Sequence, residues 1–307
     1  MVLAGTGPLL YLVAYQYAKA GAKVTAVLDC AAFADQVAAA PALLRDPLVL
    51  GQGLFYVARL QIMDVPVFRS ARLLRASGSE RVDSVSWHDG RREHSVPCDA
   101  IGFGHALRSE TQLADLLGCD FAFDPLQRAH MPVRDVAGRS SIAGVYLAGD
   151  GAGVRGANAA ELAGERAALA LLQDRGVLVD PWRVAELDDG LTRSTAMRQG
   201  LERAFPFPDD WAALAPDDLV LCRCEEITVG QLRQLVREGG ADELNRAKAL
   251  TRVGMGRCQG RYCAAAAAEV LAQAAGVPLS QIGRLRGQAP VKPIPFAIVD
   301  ADLQGAP

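Results

Sequence analysis

Along the first thirty residues the apolar positions come in bursts separated by a glycine-rich break. Val2 to Ala4 predicts the end of a buried strand, Gly5-Thr6-Gly7-Pro8 a tight turn, and Leu9 to Ala20 an apolar helix closed by Gly21. Val24 to Leu28 predicts a second strand with Asp29 at its end. Strand, turn, helix and strand in that order open a doubly wound sheet. From about Gln61 to Pro97 the apolar runs shorten. Val67-Phe68, Val82 to Val85 and a turn from His88 to Arg92 predict an antiparallel meander, with Pro66 at an edge or a strand start. Cys98 to Gly104 predicts one more strand returning to the sheet.

A second α/β segment is expected where Gly144 to Leu147 runs as a strand into the glycine-rich turn Ala148-Gly149-Asp150. The following helix is expected to start at Asn158, with Glu161 three residues on as a capping box, and to reach Gln173. Residues 177–215 carry Pro181, Pro206 and Pro208, precede Pro216 and show weaker periodicity, which predicts a connecting arm. Helical signals return over 217–285. Thr228 caps the first helix there, with Gln231 at the third position, and the alanine-rich stretch from Cys263 to Ala275 makes the last, stopped by Gly276 and Pro278. A tail with Pro290, Pro293 and Pro295 is expected to run extended.

With 307 residues, 50% of them apolar, the chain can bury a sizeable core divided among two or three domains. Its 32 Lys plus Arg against 35 Asp plus Glu, a net charge of −3, exclude bulk attraction to nucleic acid or anionic lipid. The first twenty residues are apolar but lack a basic start and are broken by the GTGP turn, so they are not expected to be a signal peptide. No long uninterrupted apolar window predicts a transmembrane span. Seven cysteines, two pairs of them crowded, point to metal ligation in a reducing cytoplasm and away from a disulfide framework.

The strongest chemical signal is Cys222-Arg223-Cys224, then a gap of 33 residues, then Cys258-Gln259-Gly260-Arg261-Tyr262-Cys263. Two irons bridged by sulfide need four thiolates in one small volume, and two short loops can deliver two each. Gly254, Gly256 and Gly260 would let backbone amides approach the sulfurs, and Arg223, Arg252, Arg257 and Arg261 would offset an anionic cluster. Zinc also takes four cysteines, although its paired ligands normally have two to four residues between them. A redox disulfide, or thiols that are buried and purely structural, would also account for cysteines at these positions. Cys30, Cys98 and Cys119 stand alone and are expected to be core thiols.

Gly5-Thr6-Gly7 between strand and helix would admit a pyrophosphate to a helix N-terminus. Asp29, nineteen residues beyond Leu10, sits where an acidic residue binds a ribose hydroxyl, favouring NAD over NADP or holding an adenine nucleotide with no redox role. Leu10 departs from the pattern by replacing the third glycine, so a merely structural turn stays open. His88, His94, His105 and His130 suggest no catalytic base, so no catalytic residue is assigned.

Cys222-Arg223-Cys224-Glu225-Glu226 and Gly254 to Cys263 resemble the [2Fe-2S] module of the bacterioferritin-associated-ferredoxin (BFD) type. The chain before them resembles the large, or alpha, subunits of bacterial opine oxidases, hydrogen cyanide synthase and hydroxyproline dehydrogenases. This resemblance implies an α/β fold with a Rossmann-like, glutathione-reductase-like nucleotide-binding domain and meander over 1–125. It further implies part of an FAD-binding domain over 126–178, the arm over 179–216, a small all-helical [2Fe-2S] domain over 217–285 and the tail over 286–307. Family members normally begin with an N-terminal FAD domain, and the chain is expected to start at the second such domain. By resemblance, Gly149, Asp150 and Gly151 would contact flavin, with Asp150 on the ribityl chain. Cys222, Cys224, Cys258 and Cys263 would hold the cluster.

The implied function is that of an electron-transferring alpha subunit of a heteromeric flavin-dependent dehydrogenase or oxidase acting on an amino or imino acid such as an opine or hydroxyproline. Its implied partner is a flavoprotein beta subunit of amino-acid-oxidase type, with both in the cytoplasm or held at the inner face of the membrane through other partners. An NADH-dependent reductase feeding the cluster and a non-catalytic iron-sulfur carrier or fragment are the rival expectations.

Overall fold

A computed structural model describes residues 1–292 and residue 294. Its contacts divide the chain into two units, Met1–Leu107 with Asp188–Pro208, and Arg108–Leu187 with the chain from Asp209 onward.

In the first unit β1 (Val2–Gly5), α1 (Pro8–Lys19) and β2 (Ala26–Asp29) form the expected opening. A parallel sheet runs in the order β3 (Val67–Phe68), β2, β1, β7 (Ile101–Gly104). Alternate residues of β1 and β2 face opposite sides, as the strand period requires. Val2, Ala4 and Leu28 pack on Val85, Trp87 and Cys98, while Leu3 and Val27 pack on Leu10, Tyr11, Ala14 and Leu60. Apolar residues are therefore needed at every position, which is why these strands read as continuous runs. Gly5 closes β1 beside Gly104 of β7. A Cβ on Gly5 would lie 1.8 Å from the Gly104 carbonyl oxygen, so no other residue fits.

The meander comprises β4 (Arg72–Ser77), β5 (Ser84–His88) and β6 (Glu93–Pro97), paired antiparallel. Val67-Phe68, expected to belong to it, pairs parallel with β2 instead, because Val67 and Phe68 register with Val27 and Leu28. Between β2 and β3 lie two helices that the apolar pattern did not single out, α2 (Phe33–Leu43) and α3 (Pro47–Ile62). Pro41 inside α2 and the apolar residues left exposed on both helices blur their 3.6-residue period.

The second unit opens with α4 (Gln112–Leu116) and the hairpin β8 (Phe121–Asp124) and β9 (Ala129–Pro132). The strand expected at 144–147 is not a regular one. Tyr146 makes a single bridge to Arg139, and the chain turns through Gly149–Ala152 before α5 (Ala157–Asp174). The capping box expected from Asn158 does not form either. Gly156 with φ 99° occupies the cap and Asn158 already lies in the first turn. Most of the stretch expected as an arm is helical, in α6 (Pro181–Ala204). Pro181 begins that helix, where its missing N–H costs nothing, and Pro206 and Pro208 fall beyond its end.

The C-terminal part is mainly helical. After α7 (Trp211–Leu214), a small hairpin of β10 (Val220–Cys222) and β11 (Ile227–Thr228) leads to α8 (Val229–Arg237), α9 (Leu244–Thr251) and α10 (Ala264–Ala275). Thr228 forms its expected capping box, accepting from the Gln231 amide at 3.3 Å while the Gln231 side chain accepts from the Thr228 amide at 2.8 Å. Gly276, at φ 66°, ends α10 as expected. Leu232, Leu244, Val253, Val270, Leu271 and Ile282 make the core. The tail expected to run extended falls largely outside the described residues.

Candidate functional site

The two cysteine loops meet on this core. Cys222 ends β10, Cys224 sits in the hairpin turn, and the second loop leaves α9 through Arg252 in the left-handed region and delivers Cys263 as the residue before α10. Contact between the loops depends on one glycine. A Cβ on Gly256 would stand 2.1 Å from the Cβ of Cys224, closer than any side chain tolerates. Gly254 and Gly260, at φ 78° and 84°, fold the second loop tightly.

The thiols come as two pairs. Cys222 and Cys263 hydrogen-bond to each other while almost fully buried, and Cys224 hydrogen-bonds to Cys258 nearer the surface. Burial raises the Cys263 thiol to about 12, with the neighbouring Cys222 and Cys258 adding to the rise and the Gly254 amide opposing it. Burial also opposes ionisation of Cys258. There the amides of Tyr262, Gly260 and Arg261, together with Cys224, outweigh it and hold the thiol below the usual range. A loop that aims three amides at one sulfur is built for a thiolate. A thiol held as high as that of Cys263 needs a cation beside it to ionise near neutral pH. Among the described residues no three His, Cys, Asp or Glu side chains converge as around a single ion. Two thiol pairs side by side could supply two thiolates to each of two metal atoms. The residues present therefore fit an iron-sulfur cluster.

Of the arginines expected to balance charge here, Arg252 is spent on Glu225 at 2.7 Å and Arg261 on Glu110, while Arg223 and Arg257 stay exposed. Cys30, Cys98 and Cys119 lie outside both pairs.

The glycine-aspartate turn of the second unit leaves Asp150 exposed, with Gly149 at φ 67°. α5 follows Gly156, which as the cap residue has no side chain to offer the first amides of the helix. In the first unit, Gly5 and Gly7 hold the turn between β1 and α1, and Asp29 ends β2, as expected. The Asp29 side chain does not face outward. It is 0% exposed and accepts from the Tyr11 hydroxyl at 2.5 Å, the Ala31 amide at 2.9 Å and Gln36 at 3.4 Å. Burial pushes its carboxyl above the usual range, against the lowering by Tyr11 and Ala31. The carboxylate expected to meet a ribose is thus engaged by Tyr11.

Glu269 was missed in the sequence, although one acid in the alanine run of α10 is a legible anomaly. It is buried and pairs with Arg108 at 3.4 Å, Arg128 at 3.3 Å and the Trp211 indole at 2.5 Å. Glu110 and Gln112, which meet the second cysteine loop, carry no sequence signal.

Comparison with known proteins agrees with this geometry. Residues 220–273 match the family model of the BFD-like [2Fe-2S] binding domain. The A subunit of opine oxidase from Rhizobium meliloti is 37% identical over 97% of the chain and 57% of its own length. Its counterpart in R. meliloti strain 1021 is 34% identical over 99% of the chain and 67% of its own length. Hydrogen cyanide synthase subunit HcnB of Pseudomonas aeruginosa is 33% identical over 96% of the chain and 65% of its own length. The chain thus spans between 57% and 67% of these relatives. Among solved structures, L-proline dehydrogenase from P. horikoshii shares the fold, with a TM-score of 0.61 at 23% identity over 79% of the chain and 47% of that protein. With the four thiols paired inside the matched domain and the likeness running along nearly the whole chain, the protein belongs to the family of the opine oxidase A subunits and the hydrogen cyanide synthase HcnB subunits.

Proposed function

We propose that this chain is the electron-transferring subunit of a flavin-dependent dehydrogenase or oxidase acting on an amino or imino acid. In this reading Cys222, Cys224, Cys258 and Cys263 hold a [2Fe-2S] cluster. The observation that carries it is the pairing of four thiols within a domain matched to that cofactor, with three amides turned to one sulfur. When bound, such a cluster accepts and passes on single electrons. The protein's own part is to orient the thiols and donate N–H groups to Cys258. It also keeps water from Cys222 and Cys263, which are only 1% and 2% exposed.

Gly149, Asp150 and Gly151 supply a flavin-contacting turn, with the N-terminus of α5 directed to phosphate. The Gly5-Thr6-Gly7 turn can still admit an adenine nucleotide, but with Asp29 turned inward it has no carboxylate to offer a ribose. For that reason nicotinamide-driven reduction is not part of the proposal. Substrate oxidation falls to a flavoprotein partner of amino-acid-oxidase type, and the subunit names of the relatives support a partner. The proposal places this assembly in the cytoplasm. Among the described residues no helix is long and apolar enough to cross a membrane.

The test is iron content and visible absorption of the purified chain and of Cys258→Ser. We expect about two irons per wild-type chain, following the cluster stoichiometry, and a large loss in the variant. Equal iron and an unchanged spectrum in the variant would overturn the ligand set. Cluster bleaching by NADH alone would replace the relay reading with a nicotinamide reductase.

A further inference from the structure

Arg261 lies between the second pair of cysteines but does not serve them as a free charge. Its Nε donates to the Glu110 carboxylate, its Nη1 to the Cys258 carbonyl at 3.1 Å and its Nη2 to the Val291 carbonyl. Beside it the Gln112 amide donates to the Gln259 carbonyl at 2.9 Å, so two side chains of the 108–112 stretch grip the backbone of the cysteine loop. The opposite side of that stretch backs the glycine-aspartate turn. The Glu110 carbonyl oxygen lies 3.3 Å from where a Cβ on Gly151 would stand, close enough that any larger residue there must push on it. Next to it, the Ser109 hydroxyl meets Gln127 at 3.4 Å, and the Gln127 side chain lies against Gly153. The backbone of Glu110 thus supports the turn and its carboxylate holds the cysteine loop.

A half-exposed ion pair adds little stability, because water screens it and two long side chains must be ordered. What the Arg261 fork does well is fix direction, since its planar donors are satisfied by one carboxylate and two carbonyls at once. We infer that Glu110 and Arg261 are positioning residues that couple the cysteine loop to the Gly149-Asp150-Gly151 turn, so that occupancy of the cluster orders the turn. This rests on the cluster assignment proposed above.

Hydrogen exchange at residues 149–153 tests it, compared between the full-length chain with its cluster and the same chain after iron removal. The expected wild-type result is slower exchange in the turn when the cluster is present. Glu110→Gln should keep the iron and visible spectrum but lose that response; Arg261→Gln should lose the response too, and Arg261→Lys, which keeps a cation opposite Glu110, should recover part of it. A wild-type chain that takes up no iron would defeat the cluster assignment itself. Exchange in the turn that ignores the cluster in wild type, or that responds equally in Glu110→Gln, would overturn the coupling alone. Glu110→Gln lies outside the cysteine loop and decides the matter if Arg261→Gln fails to fold or to hold iron.

Discussion

At the scale of single residues, small side chains carry the site. Gly256 is the sharpest case, because its missing Cβ is the space that Cys224 occupies. Gly256→Ala should overpack the loop contact at a cost of about 1–3 kcal/mol and leave the purified chain with markedly less iron. An iron content equal to wild type would show that the loops can part without losing the cofactor. Asp29 gives a second prediction. Its carboxyl is raised above the ordinary value of 3.8, so folding is favoured while it is protonated, and that contribution is lost as pH rises through the folded value. Asp29→Asn removes the buried charge, and the Tyr11 hydroxyl can turn to accept from the new amide. The difference in melting temperature between variant and wild type should therefore move in the variant's favour from pH 4 to pH 8. A flat difference would mean that the Asp29 carboxyl is unshifted, and one that moves towards wild type as pH rises would mean that it is stabilised as an anion. The sequence placed Asp29 correctly at the end of β2, but its orientation depends on Tyr11 from another element, which no local pattern reveals.

At the scale of elements, the helix ends that sequence places well are those whose signals lie within a few residues, such as Thr228 with Gln231 and Gly276 after α10. The strands that it misplaces depend on pairings outside that short window. β3 joins the parallel sheet because of its register with β2, and the 144–147 stretch bends back on Arg139. α4 shows how an element is held from afar. Asp115, only 7% exposed, accepts from Arg284 at 2.7 Å and Arg286 at 3.2 Å, and also from the Gly287 amide. The Arg284 guanidinium in turn stacks 3.6 Å above the Phe121 ring. Burial raises the Asp115 carboxyl, but the arginines and the amide prevail and hold it below 3.8. Its contribution is therefore complete above about pH 4 and is lost as pH falls through the folded value. Asp115→Asn should lower urea stability by about 1.5–3 kcal/mol at pH 7, and this deficit should shrink at acid pH. A deficit independent of pH would assign the effect to packing alone.

At the scale of the whole molecule, the division of labour was more legible than the boundaries. A nucleotide-type α/β unit and a cysteine-bearing helical module both follow from local motifs, because a glycine turn and a short cysteine spacing are complete within about ten residues. The two units divide the chain differently from the expected domains. Residues 188–208 belong with the N-terminal unit, where Met197 and Ala204 of α6 pack on Ala39 and Leu43 of α2, a contact between residues more than 150 positions apart.

The pairing of the thiols has a consequence for the chain once iron is gone. Cys222 with Cys263, and Cys224 with Cys258, are then neighbouring dithiols, each able to give up two electrons and two protons to dissolved oxygen and close as a disulfide. Titration of the unfolded chain after aerobic removal of iron should show the seven thiols falling towards the three of Cys30, Cys98 and Cys119. Iron and sulfide should then fail to restore the visible spectrum until a dithiol reductant is added, whereas seven titratable thiols after exposure to air would show that the loops spread apart when empty. The same closeness that suits the loops to a cluster thus makes the empty protein its own oxygen-sensitive lock.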